Sequence, residues 1–204
     1  MPKPLQINEI RERVWGQSES VEHPQGGKVW LRPPEPCEIP LLHDLLRTEI
    51  SPGAGSRETM SKVFACNRDS FWLIEHLSAP GEPAKIIGFY SFLPLNAEGL
   101  ARLEARTLDT SDPPLSLLAR SGESPAARYV WAVVARRLMW RLMPSIARAM
   151  GLLYADAPIF ARVATEDGRK ACIGTGFSAP PDAPQIQLGS LIRLPPWGQG
   201  GALA

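Results

Sequence analysis

The run KIIGFYSFLPL, Lys85 to Leu95, is apolar on both faces of a strand. Ile87, Phe89 and Leu93 fall on one side of the alternation, and Ile86, Tyr90 and Phe92 on the other. A strand without a polar face has to be covered twice. It is therefore expected at the centre of a sheet, with helices packed over it. Just upstream, FWLIEHL is a second β-rich run, and SAPGEP between the two is a Pro/Gly turn. Two such runs about such a turn predict a hairpin.

Periodicity supplies the rest of the plan. KVWLRPPEP opens on a strand, with Val29 and Leu31 alternating against Trp30 and Arg32. EIPLLHDLLRTEI sets Ile39, Leu42, Leu45, Leu46 and Ile50 near helical spacing, SPGAGS breaks it, and RETMSKVFACN is a second short helix. Leu100 to Leu108 reads as helical until Asp112–Pro114. RYVWAVVA is a strand running into RRLMWRLMPSIARAMG, a helix kinked at Pro144 and stopped at Gly151. PIFARVA is another strand. Thr165 caps a helix whose first turn holds Glu166 and Asp167, and QIQLGSLIRL alternates as a last strand. The expected layout is an N-terminal extension over 1–27 with a short helix at Leu5–Trp15, one domain over 28–193, and a loose tail over 194–204. The extension and tail are candidates for ordering in a homodimer.

Composition narrows the partners. A chain of 204 residues fits one domain. Its formal net charge of +1 gives no bulk electrostatic case for nucleic acid or an anionic membrane. No secretory segment and no apolar run of about 18 residues is present, so a cytoplasmic protein is expected. Three cysteines without a CxxC spacing and three scattered histidines point to no disulfide framework and no metal site.

The order of elements resembles the GNAT superfamily of N-acetyltransferases over roughly residues 28–193. VWLRPPEPCEIPLLHDLL is similar to that family's opening strand, Arg-Pro step and first helix. KIIGFYSFLPL is similar to its third strand, with Ile87-Gly88 as the Ile/Val-Gly step. ATEDGRKACIGTGF is similar to its last helix, with Gly176-Phe177 as the Gly-Phe ending. The resemblance implies an α/β (α+β) fold with a mixed, mostly antiparallel central sheet and helices on both faces. It also implies acetyl-CoA or another acyl-CoA as cofactor, held where the fourth family strand ends and the next helix begins.

In this chain that segment is Val133 to Met143. It has no glycine and carries Arg136, Arg137 and Arg141 at the start of a helix. Cations there oppose the helix dipole, which an anion bound between them would relieve; a solvated face is the alternative. The resemblance places Val133, Val134, Ala135 and the three arginines at the cofactor, with a backbone N–H near Val134 polarising the carbonyl. Counting four residues back from Gly176 puts Cys172 where the family often has a proton-donating tyrosine. Cys172 is then a thiol acid or core filling, and Tyr129 a cleft phenol or packing. Trp131 and Trp140 line a pocket or fill the core. RYVWAVVA offers no carboxylate base. The reading is an acyl-CoA-dependent N-acyltransferase acting on a small-molecule or protein amine by direct attack on the thioester. The alternative is a non-catalytic domain of the same fold that binds a protein partner or small effector.

Overall fold

The computed structural model describes residues 21–22, 28–50, 55–79, 82–135, 157–179 and 185–194. Seven strands in these residues form one sheet in sequence order: β1 (Val21–Glu22), β2 (Lys28–Arg32), β3 (Phe71–Leu77), β4 (Lys85–Leu95), β5 (Ala127–Ala135), β6 (Ile159–Arg162) and β7 (Leu191–Leu194). Four helices are described: α1 (Ile39–Glu49), α2 (Arg57–Cys66), α3 (Ala97–Glu104) and α4 (Glu166–Gly174). Neighbouring strands run antiparallel except β5 and β6, which are parallel. This is the mixed, mostly antiparallel α/β architecture expected from the sequence. The first ladder, Val21–Val29 and Glu22–Lys28, begins inside the stretch read as an extension.

Helices cover both faces because the central strands are apolar on both. Phe71, Leu73, Phe89, Leu93 and Tyr129 line one face, under Ile39, Leu42 and Leu46 of α1 and Met60, Val63 and Phe64 of α2. Val29, Leu31, Ile74, Tyr90 and Phe92 line the other. Beside them, Cys172 of α4 and Phe177 just after it pack with Ala161, Val163 and Ile192. Burying one such side chain contributes about 1.5–3 kcal/mol, so these layers dominate the stability.

Three sequence expectations change. Ile86 packs with the α1–α2 face and Ile87 with the opposite one, the reverse of simple alternation. The cause is a bulge: Ile74 pairs with Gly88 and Glu75 with Ile86, so Ile87 is an extra residue that shifts the phase. The helix read to Leu108 ends at Glu104. There the Arg106 amide donates to the Leu103 carbonyl at 3.0 Å and Thr107 to Arg102 at 2.9 Å, with Arg106 at φ 59°. Finally, Gln185 to Ser190 is not strand. The chain turns at Gly189 (φ +83°), with Ser190 donating to the Gln187 carbonyl at 3.1 Å, and β7 starts only at Leu191.

The Gly-Phe step closes α4. Thr165 caps its start, accepting from the Gly168 amide at 3.0 Å. At its end the Phe177 amide donates to the Cys172 carbonyl (3.0 Å) and Gly176 to Ile173 (3.1 Å). This is a Schellman closure, with Gly176 in the left-handed position at φ 86° and the side chain of Phe177 turned back onto the helix's apolar side. Ser178 then bridges to Arg193 of β7. Replacing Gly176 with Ala puts a Cβ into that conformation. We expect a loss of about 1–2 kcal/mol, read from urea unfolding midpoints at unchanged m-value.

Candidate active site

β5 and β6 share three residue pairs: Arg128–Ile159, Tyr129–Phe160 and Val130–Ala161. The Arg128 amide donates to the Pro158 carbonyl at 2.9 Å. Beyond that the strands part. β5 continues through Ala132 to Ala135 paired to β4 alone, and Arg162 of β6 is paired to Leu191 of β7 alone. Among the described residues, a gap therefore opens between two parallel strands toward their C-terminal ends. In α/β sheets that is where ligands enter.

The gap begins at a second bulge. Ser91 faces Ala132 and Phe92 faces Val130, which leaves Trp131 as an extra residue. Trp131, Ala132 and Val134 consequently pack with the α1–α2 face, and Val130 and Val133 with the other. Amide directions alternate along a strand, and the extra residue advances that alternation by one. With Arg128 turned to β6, the amides of Val133 and Ala135 turn into the gap and that of Val134 turns to β4.

Solved structures share this architecture. Diaminobutyrate acetyltransferase EctA from Paenibacillus lautus, solved with its substrate L-2,4-diaminobutyric acid and coenzyme A, matches with a TM-score of 0.52 at 16% identity, over 87% of this chain and 100% of that one. The chain has the GNAT acetyltransferase fold. An acetyltransferase of the GNAT family from Listeria monocytogenes gives a TM-score of 0.48 at 12% identity, over 82% of this chain and 94% of that one. The loading GNATL domain of CurA from Lyngbya majuscula gives 0.46 at 13% identity, over 68% of this chain and 66% of that one. No family model and no curated protein matches the sequence.

The GNAT sheet distributes the expected site residues over its two faces. Tyr129 is buried in the α1–α2 cluster, opposite Leu93 and Phe160. Cys172 lies on α4 across the sheet, half-buried against the β6–β7 cluster, and burial pushes its thiol pKa up. The sheet thus separates these two groups. Val133 is half-buried facing the α4 side, Val134 is fully buried facing α1 and α2, and Ala135 pairs with Gly88. Arg136, Arg137 and Arg141 lie outside the described residues, as do Trp140 and the helix expected after β5. Arg128 is the one charged residue of β5, so that strand brings no carboxylate to the gap.

Two residues gain weight from the structure. Tyr90 pairs with Val133 across the β4–β5 ladder and lies on the face that Cys172 approaches. Burial, and secondarily Cys172, raise its pKa above the ordinary phenol range, so its hydroxyl stays protonated. Its sequence signal was a phenol inside an otherwise unbroken apolar run. Trp131 is the other. Its indole N–H donates to the Thr110 carbonyl at 2.6 Å, and its ring meets Phe71 edge-on at 6.0 Å between centroids.

Proposed function

We propose that this chain transfers an acyl group from an acyl-coenzyme A thioester to an amine, releasing coenzyme A. The observation that carries the reading is the gap between β5 and β6, with the amides of Val133 and Ala135 turned into it. Strand amides turned toward such a gap could accept an extended, amide-bearing chain the way a sheet edge accepts a peptide. The pantetheine arm of coenzyme A is such a chain, and the EctA neighbour was solved with that cofactor. The Val133 N–H is our candidate for polarising the thioester carbonyl, in a half-buried setting that would strengthen the bond. Cys172, protonated on the α4 side, is the group that could return a proton to the departing thiolate; Tyr90, raised above the ordinary phenol range, is the weaker acid. The phosphates fall to Arg136, Arg137 and Arg141 and to the backbone N–H groups following β5. With no carboxylate on β5, the chain's contribution is mainly placement of the amine, which attacks as the free base. The acceptor is a small-molecule or protein amine.

A second reading rests on the segment Val133 to Met143, which contains no glycine. Bulky residues there would fill the cofactor groove and make it a surface for a protein partner or small effector.

A thermal-shift titration with coenzyme A and acetyl-CoA separates the two. A ligand at about 100 times its dissociation constant adds roughly 2.7 kcal/mol of stability. For a chain of this size the melting temperature should rise by roughly 5–10 °C. The rise should vanish in the Arg136→Ala/Arg137→Ala protein. No shift with either ligand at millimolar concentration would overturn the cofactor reading and leave the partner reading. A shift without acetyl transfer to any of a panel of amines would place the chain between them, as a cofactor-binding domain without turnover.

A further inference from the structure

The peptide group between Ala132 and Val133 comes directly after the bulge in β5. A bulge disrupts the ladder locally, so strand pairing there holds the plane of a peptide group less firmly than in a regular stretch. At this place a side chain takes part. Ser91 of β4 is paired with Ala132, and its hydroxyl donates to the Ala132 carbonyl at 3.3 Å. Ser91 is 1% exposed, and that carbonyl is the one hydrogen-bond partner of its hydroxyl among the described residues. A buried hydroxyl without a partner is costly, so the bond is kept. Tyr90 and Phe92, its neighbours in sequence, stack at 6.0 Å on the opposite face and steady the strand that carries it.

A trans peptide group is planar, and its C=O and N–H point in opposite directions. Drawing the Ala132 carbonyl toward β4 therefore turns the Val133 N–H away from β4, to the side on which β6 has parted from β5. The same bond polarises the amide, because a carbonyl that accepts a hydrogen bond makes the N–H of its own peptide group a better donor. We infer that Ser91 is a positioning residue: its hydroxyl aims the Val133 N–H into the gap and strengthens it as a donor to the thioester carbonyl. This inference rests on the cofactor reading above. It accounts for a hydroxyl in the middle of FYSFL, where an apolar side chain would suit the buried surroundings better.

The test is the infrared carbonyl band of acetyl-CoA, isotopically labelled at the thioester carbonyl, bound to the full chain as wild type, Ser91→Ala, Ser91→Thr and Ser91→Cys. A carbonyl that accepts a stronger hydrogen bond absorbs at lower frequency, and a general loss of stability does not move the band of the bound ligand. The band should move to higher frequency in Ser91→Ala, stay at the wild-type position in Ser91→Thr, which keeps the hydroxyl, and fall between in Ser91→Cys, whose thiol is a weak donor. With an amine that wild type acetylates, kcat of Ser91→Ala should fall about three- to tenfold while KM for acetyl-CoA stays within about twofold, and Ser91→Thr should recover most of the loss. A band at the same frequency in wild type and Ser91→Ala overturns the inference, even where Ser91→Ala is less stable, since the hydroxyl then only braces the bulge. If Ser91→Ala does not fold, Ser91→Cys against Ser91→Thr makes the same comparison, and equal bands overturn it. If wild type binds no acetyl-CoA, it is the cofactor reading that has failed, and the role of Ser91 falls with it.

Discussion

Replacing Gly99 with Ala should destabilise the protein by about 3 kcal/mol or more, lowering the melting temperature by roughly 6–12 °C. The direction is the opposite of what helix propensity gives, since Gly to Ala inside a helix normally gains about 1 kcal/mol. Gly99 lies in the first turn of α3, where its amide donates to the Asn96 side chain at 2.9 Å. The Asn96 amide donates in turn to the Leu117 carbonyl at 3.0 Å, and its side chain to Ser116 at 2.7 Å. These bonds draw the helix down onto 115–118 so closely that a Cβ at Gly99 would lie 2.3 Å from the Leu117 oxygen. That oxygen is backbone and cannot turn aside. Gly174, at the end of α4, is the control: a Cβ there meets nothing within 4 Å. Gly174→Ala should therefore be neutral or stabilising by up to about 1 kcal/mol. Calorimetric melting of both variants tests the pair. Equal effects of the same sign would refute the close approach at Gly99.

Replacing Arg32 with Ala should remove about 2–4 kcal/mol. The guanidinium spans two carboxylates. It donates to both oxygens of Glu38 and to one of Glu75, each at 2.7 Å, and also to the Pro33 carbonyl at 3.2 Å. It thus pins the turn before α1 to β3. The Glu75 side chain is 10% exposed and those of Arg32 and Glu38 about a fifth, so the charges are largely out of water. Without Arg32, two anions are left on one patch, which is costlier than the pair was favourable. The cluster also sets an acid limb. The Arg32 hydrogen bonds hold the Glu38 carboxyl below the usual range. A depressed folded pKa contributes stability that is complete above the unfolded value of about 4.3 and is lost as the pH falls through the folded one. Wild-type stability should therefore decline below about pH 4.5, and the Arg32→Ala protein should lose less over the same interval. Urea unfolding at stepped pH measures both slopes.

The strands of this fold announce themselves by runs of β-branched and aromatic residues, and the helices by apolar spacing and caps such as Thr165. What the sequence conceals is phase. Gly88 in IIGF is the kind of residue that accompanies a bulge, but it does not say that Ile87 is the extra residue that swaps with Ile86, and nothing in YVWAVV marks Trp131. Yet the second bulge decides which amides enter the gap. The end of α3 was hidden for a related reason: its Schellman closure uses Arg106, not glycine, in the left-handed position, at a cost of about 1 kcal/mol that the packing offsets. The alternation in QIQLGS was misleading because a turn through Gly189 also alternates. The Arg32 cluster joins residues 43 positions apart, a distance over which no local pattern speaks.

The return of the chain after the Gly-Phe step bears on assembly. Ser178 donates its amide (3.0 Å) and its hydroxyl (3.1 Å) to the Arg193 carbonyl and accepts from the Arg193 amide at 3.4 Å. The peptide groups of Arg193 that would otherwise invite another strand are thus already taken from within the chain. A second molecule cannot prolong the sheet past this point without first evicting Ser178, so any pairing of two copies there has to be side-chain to side-chain, across a face, and not edge to edge.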